Sequence, residues 1–124
     1  MDDELQFPAA MKFELMREEG SETRVALTVS ERHRQANGVV HGSVIHGLLD
    51  TIMGVQVFRA NGRKPCATSE ISIRYLQPVF DGRLEATARV LKAGKRLNTV
   101  EGTVWRDGDA IAVGQSTFVT LRED

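Results

Sequence analysis

The chain has a single cysteine, Cys66, so no disulfide can form within its 124 residues. No export signal opens it either. Met1-Asp2-Asp3-Glu4 is acidic where such a signal would be basic and then apolar. Together these two features point to a reducing cytoplasm. Charge of one sign is not in excess: 16 Lys+Arg stand against 17 Asp+Glu, a net charge of −1 that offers no field for gathering nucleic acid or an anionic membrane. No unbroken apolar stretch approaches the roughly 18 residues that span a bilayer. The longest apolar segment is interrupted by His46, Asp50 and Gln56. The expectation is a soluble protein that binds neither nucleic acid nor membrane.

Several chemical signatures are missing too. No G-x-S-x-G elbow surrounds Ser43, which removes it as a nucleophile of that kind, and no phosphate-binding glycine loop with its lysine occurs. His33, His41, His46 and Asp50 lie at no spacing that completes a tetrahedral metal set, so neither a metal nor an organic cofactor is expected. Repeats, linkers and low-complexity segments are lacking, and the length suits one domain over 1–124. With 41% apolar residues the chain can build a core. A domain of this size still buries only about two-thirds of its unfolded surface and gains from self-association.

What is present is punctuated by turn dipeptides: Asn37-Gly38, Asn61-Gly62, Asp81-Gly82 and Asp107-Gly108, with Ala93-Gly94 as a weaker break. Apolar residues alternate through Phe13–Glu19 and Thr23–Val29, which predicts a hairpin turning at Gly20-Ser21. Ser30–Val40 is polar and irregular and reads as a long loop. Ser43 can cap a helix ending near Arg59 whose apolar positions, from Val44 to Phe58, cover most of its circumference and demand burial. Gly47 and Gly54, seven apart on one face, predict close approach of that face to strands. Four strands follow, Ala67–Leu76, Arg83–Lys92, Leu97–Arg106 and Ala110–Leu121. In the first, alternation sends Ile71, Ile73 and Tyr75 one way and Thr68, Glu70, Ser72 and Arg74 the other. The sum is an α+β domain, one antiparallel sheet of about six strands with one long buried helix.

Asp50 is the only charged side chain between Gly42 and Phe58, in a helix otherwise built for burial, where an unpaired carboxylate costs several kcal/mol. It either lies on a narrow exposed stripe with His46 or serves as a general base or nucleophile whose apolar surroundings raise its pKa. Val40-His41-Gly42-Ser43 runs directly into the helix. Free N–H groups of a first helical turn, with the dipole behind them, can cradle an oxyanion such as that of an acyl carbonyl, although Gly-Ser there is also an ordinary cap. Gly42 and Asp50 are eight residues apart, about 12 Å along one helix, too far for both to touch one carbon. If both act on one ester, they come from two subunits whose helices meet antiparallel about a symmetry axis.

These residues, taken with Gly38-Val39-Val40-His41-Gly42, Leu49-Asp50, Thr68-Ser69-Glu70-Ile71-Ser72-Ile73-Arg74-Tyr75-Leu76-Gln77-Pro78, Gly82 and the Gly94-Lys95-Arg96 turn, resemble the hotdog-fold acyl-CoA thioesterases. Within the 4-hydroxybenzoyl-CoA thioesterase-like superfamily, the nearest likeness is to the phenylacetate-pathway group of small bacterial enzymes, over nearly the whole chain. The resemblance implies a strongly curved sheet wrapped around the helix, in homodimers that commonly pair into homotetramers. It assigns Asp50 to activating water or attacking the thioester, the Gly42 N–H to polarising the carbonyl from the partner subunit, His41 to supporting that turn and Thr68 to orienting water. Gly94, Lys95 and Arg96 fall where relatives contact the nucleotide end of coenzyme A.

Three positions depart from the family pattern. Gln35 stands six residues before His41, where Asn is frequent, and can still donate an amide hydrogen bond. Ser43 replaces a second glycine at the pocket mouth. His46 takes a place usually small or apolar, one turn before Asp50, and is read as a pocket or surface residue. The expected activity is hydrolysis of an aryl or medium-chain acyl-CoA to free acid and CoA. The alternatives are a hotdog module that binds acyl-CoA without cleaving it and a hotdog hydratase or dehydratase.

Overall fold

In a computed structural model of the chain, the described residues are 6–17 and 23–121. A short helix α1 (Phe7–Ala10) leads into strands β1 (Glu14–Met16) and β2 (Arg24–Thr28). A 3-10 turn at Glu31–His33 precedes the long helix α2 (Gly42–Ala60). Strands β3 (Cys66–Tyr75), β4 (Arg83–Ala93), β5 (Leu97–Arg106) and β6 (Asp109–Thr120) follow. The six strands form one curved antiparallel sheet in the order β1-β2-β4-β5-β6-β3, wrapped around α2. The pattern of elements predicts the six-stranded sheet and its long helix, and the resemblance implies the curved hotdog wrapping that the two adopt. The Gly20-Ser21 turn of the expected hairpin lies outside the described residues, but β1 and β2 on either side of it do pair.

The turn dipeptides end elements because they can take backbone conformations other residues avoid. Between β5 and β6, Asp107 (φ 50°) and Gly108 (φ 83°) are both left-handed, as the tightest hairpin turns require. The irregular stretch after Ser30 is less loose than its composition suggests. A bridge joins Arg34 to Val40, and buried His33 ties the segment down. Its Nδ1 accepts the Ser30 N–H at 2.9 Å, which leaves Nε2–H to donate to the Met11 carbonyl at 2.8 Å. Helix α1 was not anticipated, since four residues are too few for a periodic signal.

Leu48, Leu49, Ile52, Met53 and Val57 of α2 are wholly buried against Leu84, Ala86, Val100, Val104 and Ala112 of the sheet. The close approach of helix to sheet is made by glycines of the sheet. Gly102 and Gly114 face each other across β5 and β6, and a Cβ on either would lie 3.1 or 3.2 Å from a Leu49 methyl. Of the two helix glycines expected against strands, Gly54 does meet Phe118 of β6. Gly47 instead receives the ring of Phe7, 2.6 Å from where its Cβ would stand. Phe7 and Phe13, packed edge to face at 5.6 Å, carry the N-terminal segment across that side of the helix and take the place of a strand there.

Strand β3 lies at one edge of the sheet and is ten residues long, with most of its residues exposed. An unpaired edge of that length is a template for another strand. Among the described residues no helix is long and apolar enough to cross a membrane.

Candidate active site

Helix α2 begins two residues earlier than the capping reading placed it. Gly42 is its first residue and His41 the flanking one, so Ser43 sits inside the first turn, and no side chain caps the end. The reason is in the loop before it. The His41 N–H donates to the His33 carbonyl at 2.9 Å, and the His41 carbonyl accepts from Val44 N–H at 3.0 Å, which commits His41 to closing the turn through its backbone. The N–H groups of Gly42 and Ser43 have no partner among the described residues, at the positive end of a 19-residue helix. The Tyr75 ring rests against Gly42, and its hydroxyl donates to the Gly42 carbonyl at 3.1 Å.

Two turns on, half-buried Asp50 accepts a hydrogen bond from the Thr68 hydroxyl, Oγ1 to Oδ1 at 2.7 Å. Strict alternation would have turned Thr68 away from the helix. A β-bulge at Thr68–Glu70 supplies the missing residue of phase: Thr68 stands opposite Phe118, Glu70 opposite Thr117 and Ile71 opposite Ser116. Thr68 thus shares the helix-facing side with Ile71, Ile73 and Tyr75, and the expected assignment of its face is corrected.

Asp50 and Thr68 stand at the rim of a cavity of about 540 Å³ between α2 and the start of β3. Gly54, Val55 and Phe58 line its helix side, and Cys66 and Phe118 its sheet side. Burial, and then the nearby Asp50 charge, push the Cys66 thiol above its usual pKa. The lining is mostly apolar, with Arg17 and Arg59 in it as well as the Asp50 carboxylate, a shape suited to a greasy group ending in a polar, reactive function.

The remaining expected site residues are more dispersed. His46 is exposed one turn before Asp50, and its side chain has no hydrogen-bond partner among the described residues. Gln35 is exposed; its backbone closes a turn with Gly38 and Val39, while its amide side chain has no partner among the described residues. Gly94, Lys95 and Arg96 form the β4–β5 turn, where a Cβ on Gly94 would fall 2.5 Å from the Leu97 carbonyl oxygen. Leu97, Val119 and Ala67 stand in one row across β5, β6 and β3, so this turn lies at the Cys66 end of the cavity. The Lys95 and Arg96 side chains are exposed and form no ion pair among the described residues. Gly42 and Asp50 stay about 12 Å apart on their shared helix. Sequence reasoning had not singled out Tyr75, although its phase with Ile71 and Ile73 put it on the helix-facing side.

Comparison with known proteins gives a consistent result. A family profile described as the thioesterase superfamily matches residues 37–113. The human acyl-coenzyme A thioesterase 13 is 32% identical over 94 residues, covering 73% of this chain and 67% of that protein. A Bacillus halodurans protein whose crystal structure was solved with CoA superposes with a TM-score of 0.91 at 28% identity, over 100% of this chain and 83% of that one. A conserved protein of Pseudomonas aeruginosa superposes with a TM-score of 0.86 at 29% identity, over 93% of both chains.

Proposed function

This chain belongs to the thioesterase superfamily and is a thioester hydrolase, and from that premise we propose that it cleaves an aryl or medium-chain acyl-CoA to the free acid and CoA. The observation that carries this reading is the Thr68–Asp50 hydrogen bond at the rim of an apolar cavity. One carboxylate oxygen is held by Thr68, and the other is left to take a proton from water. In the reaction the water oxygen bonds to the thioester carbonyl carbon while Asp50 accepts its proton. Negative charge collects on the carbonyl oxygen, the C–S bond then breaks, and the departing sulfur takes the proton back from Asp50. The amides of Gly42 and Ser43 would hold the oxyanion, but not for the Asp50 of their own helix, which is too distant.

The site is therefore read as shared between two copies. Antiparallel pairing of two β3 edges would set the start of one α2 beside Asp50 of the other, burying the exposed edge in the same step. Dimers pairing into tetramers, one domain over 1–124 and a cytoplasmic setting belong to the same reading. His41 supports the oxyanion turn, Gln35 and His46 flank it, and Ser43 lies at the pocket mouth. Gly94, Lys95 and Arg96 would meet the nucleotide end of CoA at the other end of the cavity; that this chain binds CoA is supported by the Bacillus halodurans relative solved with CoA.

Release of free thiol from a panel of acyl-CoAs tests the proposal. The protein should turn over, and Asp50→Asn should lose at least about a hundredfold in kcat while keeping fold and assembly. Asp50→Asn hydrolysing at the unmodified rate would overturn the assignment. Binding of acyl-CoA with no thiol release would leave a binding module instead.

A further inference from the structure

Strand β3 reaches α2 with two hydroxyls. Thr68 touches Asp50, and seven residues later Tyr75 touches the first residue of the helix. The second contact has no place in the hydrolysis scheme as written. We infer that Tyr75 is a positioning residue of the oxyanion cradle, and that the cradle is built from two amides, those of Gly42 and Ser43. This rests on the hydrolysis reading above.

The peptide unit between residues 42 and 43 has the Gly42 carbonyl at one end and the Ser43 N–H at the other. Inside the helix that carbonyl already accepts from the amide four residues on. The Tyr75 hydroxyl, 3.1 Å away, gives it a second donor. A carbonyl that accepts two hydrogen bonds withdraws electron density from its own amide nitrogen, so the Ser43 N–H becomes the stronger donor. The same bond fixes the plane of that peptide at a helix end, where the backbone is otherwise free to fray. Among the described residues the Ser43 amide has no partner, nor has the Gly42 amide beside it.

Packing alone does not call for a tyrosine. Its ring lies at ordinary contact distance from the Gly42 backbone, 3.5 Å from where a Cβ would stand, and phenylalanine would fill the same space. Tyr75 as a residue is 51% exposed, so its burial in one chain is modest. What the hydroxyl adds is the bond to the carbonyl.

Tyr75 is the only tyrosine in the chain, so growth of a tyrosine-requiring host on 3-fluorotyrosine alters this hydroxyl alone. Losing an oxyanion donor outright lowers kcat by about 10²–10³, and weakening one should cost about tenfold. Tyr75→Phe is expected to lower kcat about tenfold with KM within about twofold and with thermal midpoint and assembly unchanged. The fluorinated protein, assayed where its phenol is still protonated, should be at least as fast as the unmodified one because its hydroxyl is the better donor. The infrared carbonyl stretch of an acyl-CoA bound to Asp50→Asn should move to higher wavenumber when Tyr75→Phe is added. Tyr75→Phe with unchanged kcat, an effect confined to KM, or a carbonyl stretch that does not move would overturn the inference. If the unmodified protein releases no thiol, the hydrolysis reading has failed instead, and the carbonyl stretch of bound acyl-CoA still decides whether Tyr75 tunes the cradle.

Discussion

Replacing Gly42 with proline removes one atom of interest, the amide hydrogen, at a position prepared to accept the change. Gly42 is the first residue of α2, where proline is favoured because that N–H has no intrahelical partner. The residue before a proline must be extended, and His41 already is, at φ −57° and ψ 136°. The nearest neighbour of a side chain at position 42 is Tyr75, at 3.5 Å, an ordinary contact. Gly42→Pro should therefore fold and assemble with a thermal midpoint close to the parent. If the Gly42 amide is one of the oxyanion donors, kcat should fall by about 10²–10³, or roughly 3–4 kcal/mol of transition-state stabilisation. The shared-site geometry adds a quantitative test. Mixing equal amounts of unfolded Gly42→Pro and Asp50→Asn chains and refolding them gives, by random pairing, about half mixed dimers. Each mixed dimer has one site with both lesions and one with neither, so about a quarter of the parental activity should return from two nearly inactive proteins. A mixture no more active than its parts, with mixed dimers demonstrated by differential tagging, would refute the placement of the two groups on opposite subunits.

Thr68→Val keeps the shape and strand preference of the side chain but removes the donor to Asp50. The pair is partly open to water, so kcat should drop only about tenfold, with Thr68→Ser restoring most of it and stability changing by less than about 0.5 kcal/mol. Kinetics of thiol release with the two variants would show this, and a fully active Thr68→Val would remove Thr68 from the water-orienting role. The Cys66 thiol, raised by burial and by the Asp50 charge, holds less thiolate at a given pH than a free cysteine and should alkylate more slowly with iodoacetamide near neutrality. Asp50→Asn should speed that alkylation by lifting the second cause, and an unchanged rate would mean the two groups do not sense each other.

Much of this architecture is readable in the residues, and the failures have local causes. The β5 strand is expected and found at Leu97–Arg106, because Asp107-Gly108 marks one end and regular alternation with few interruptions marks the rest. The buried helix is legible because its apolar positions leave no wide polar face. What cannot be read is whichever element another part of the chain decides. Gly47 looks like a contact point for the sheet, yet its neighbour is Phe7, forty residues earlier, on a helix of one turn. The cap at Ser43 fails because the His41 backbone is already bound to His33 across the loop.

The bulge near Thr68 is the instructive case, since there the resemblance and the residue pattern conflict. By alternation, Thr68 and Ile71 belong to opposite faces of β3, whereas a role beside Asp50 requires Thr68 to face the helix with Ile71, Ile73 and Tyr75. One extra residue resolves the conflict by shifting the phase of everything before it, so that Thr68 stands opposite Phe118 and reaches Asp50 at 2.7 Å. A bulge costs a paired position and strengthens the local twist, and an edge strand loses least by it, having one neighbour only. Without it, the same sequence could place either its hydroxyl against the carboxylate or its isoleucines in the core, but not both. The phase break therefore lets one strand bind Asp50 through Thr68 and the helix start through Tyr75, the two parts of the proposed site that a single helix holds about 12 Å apart.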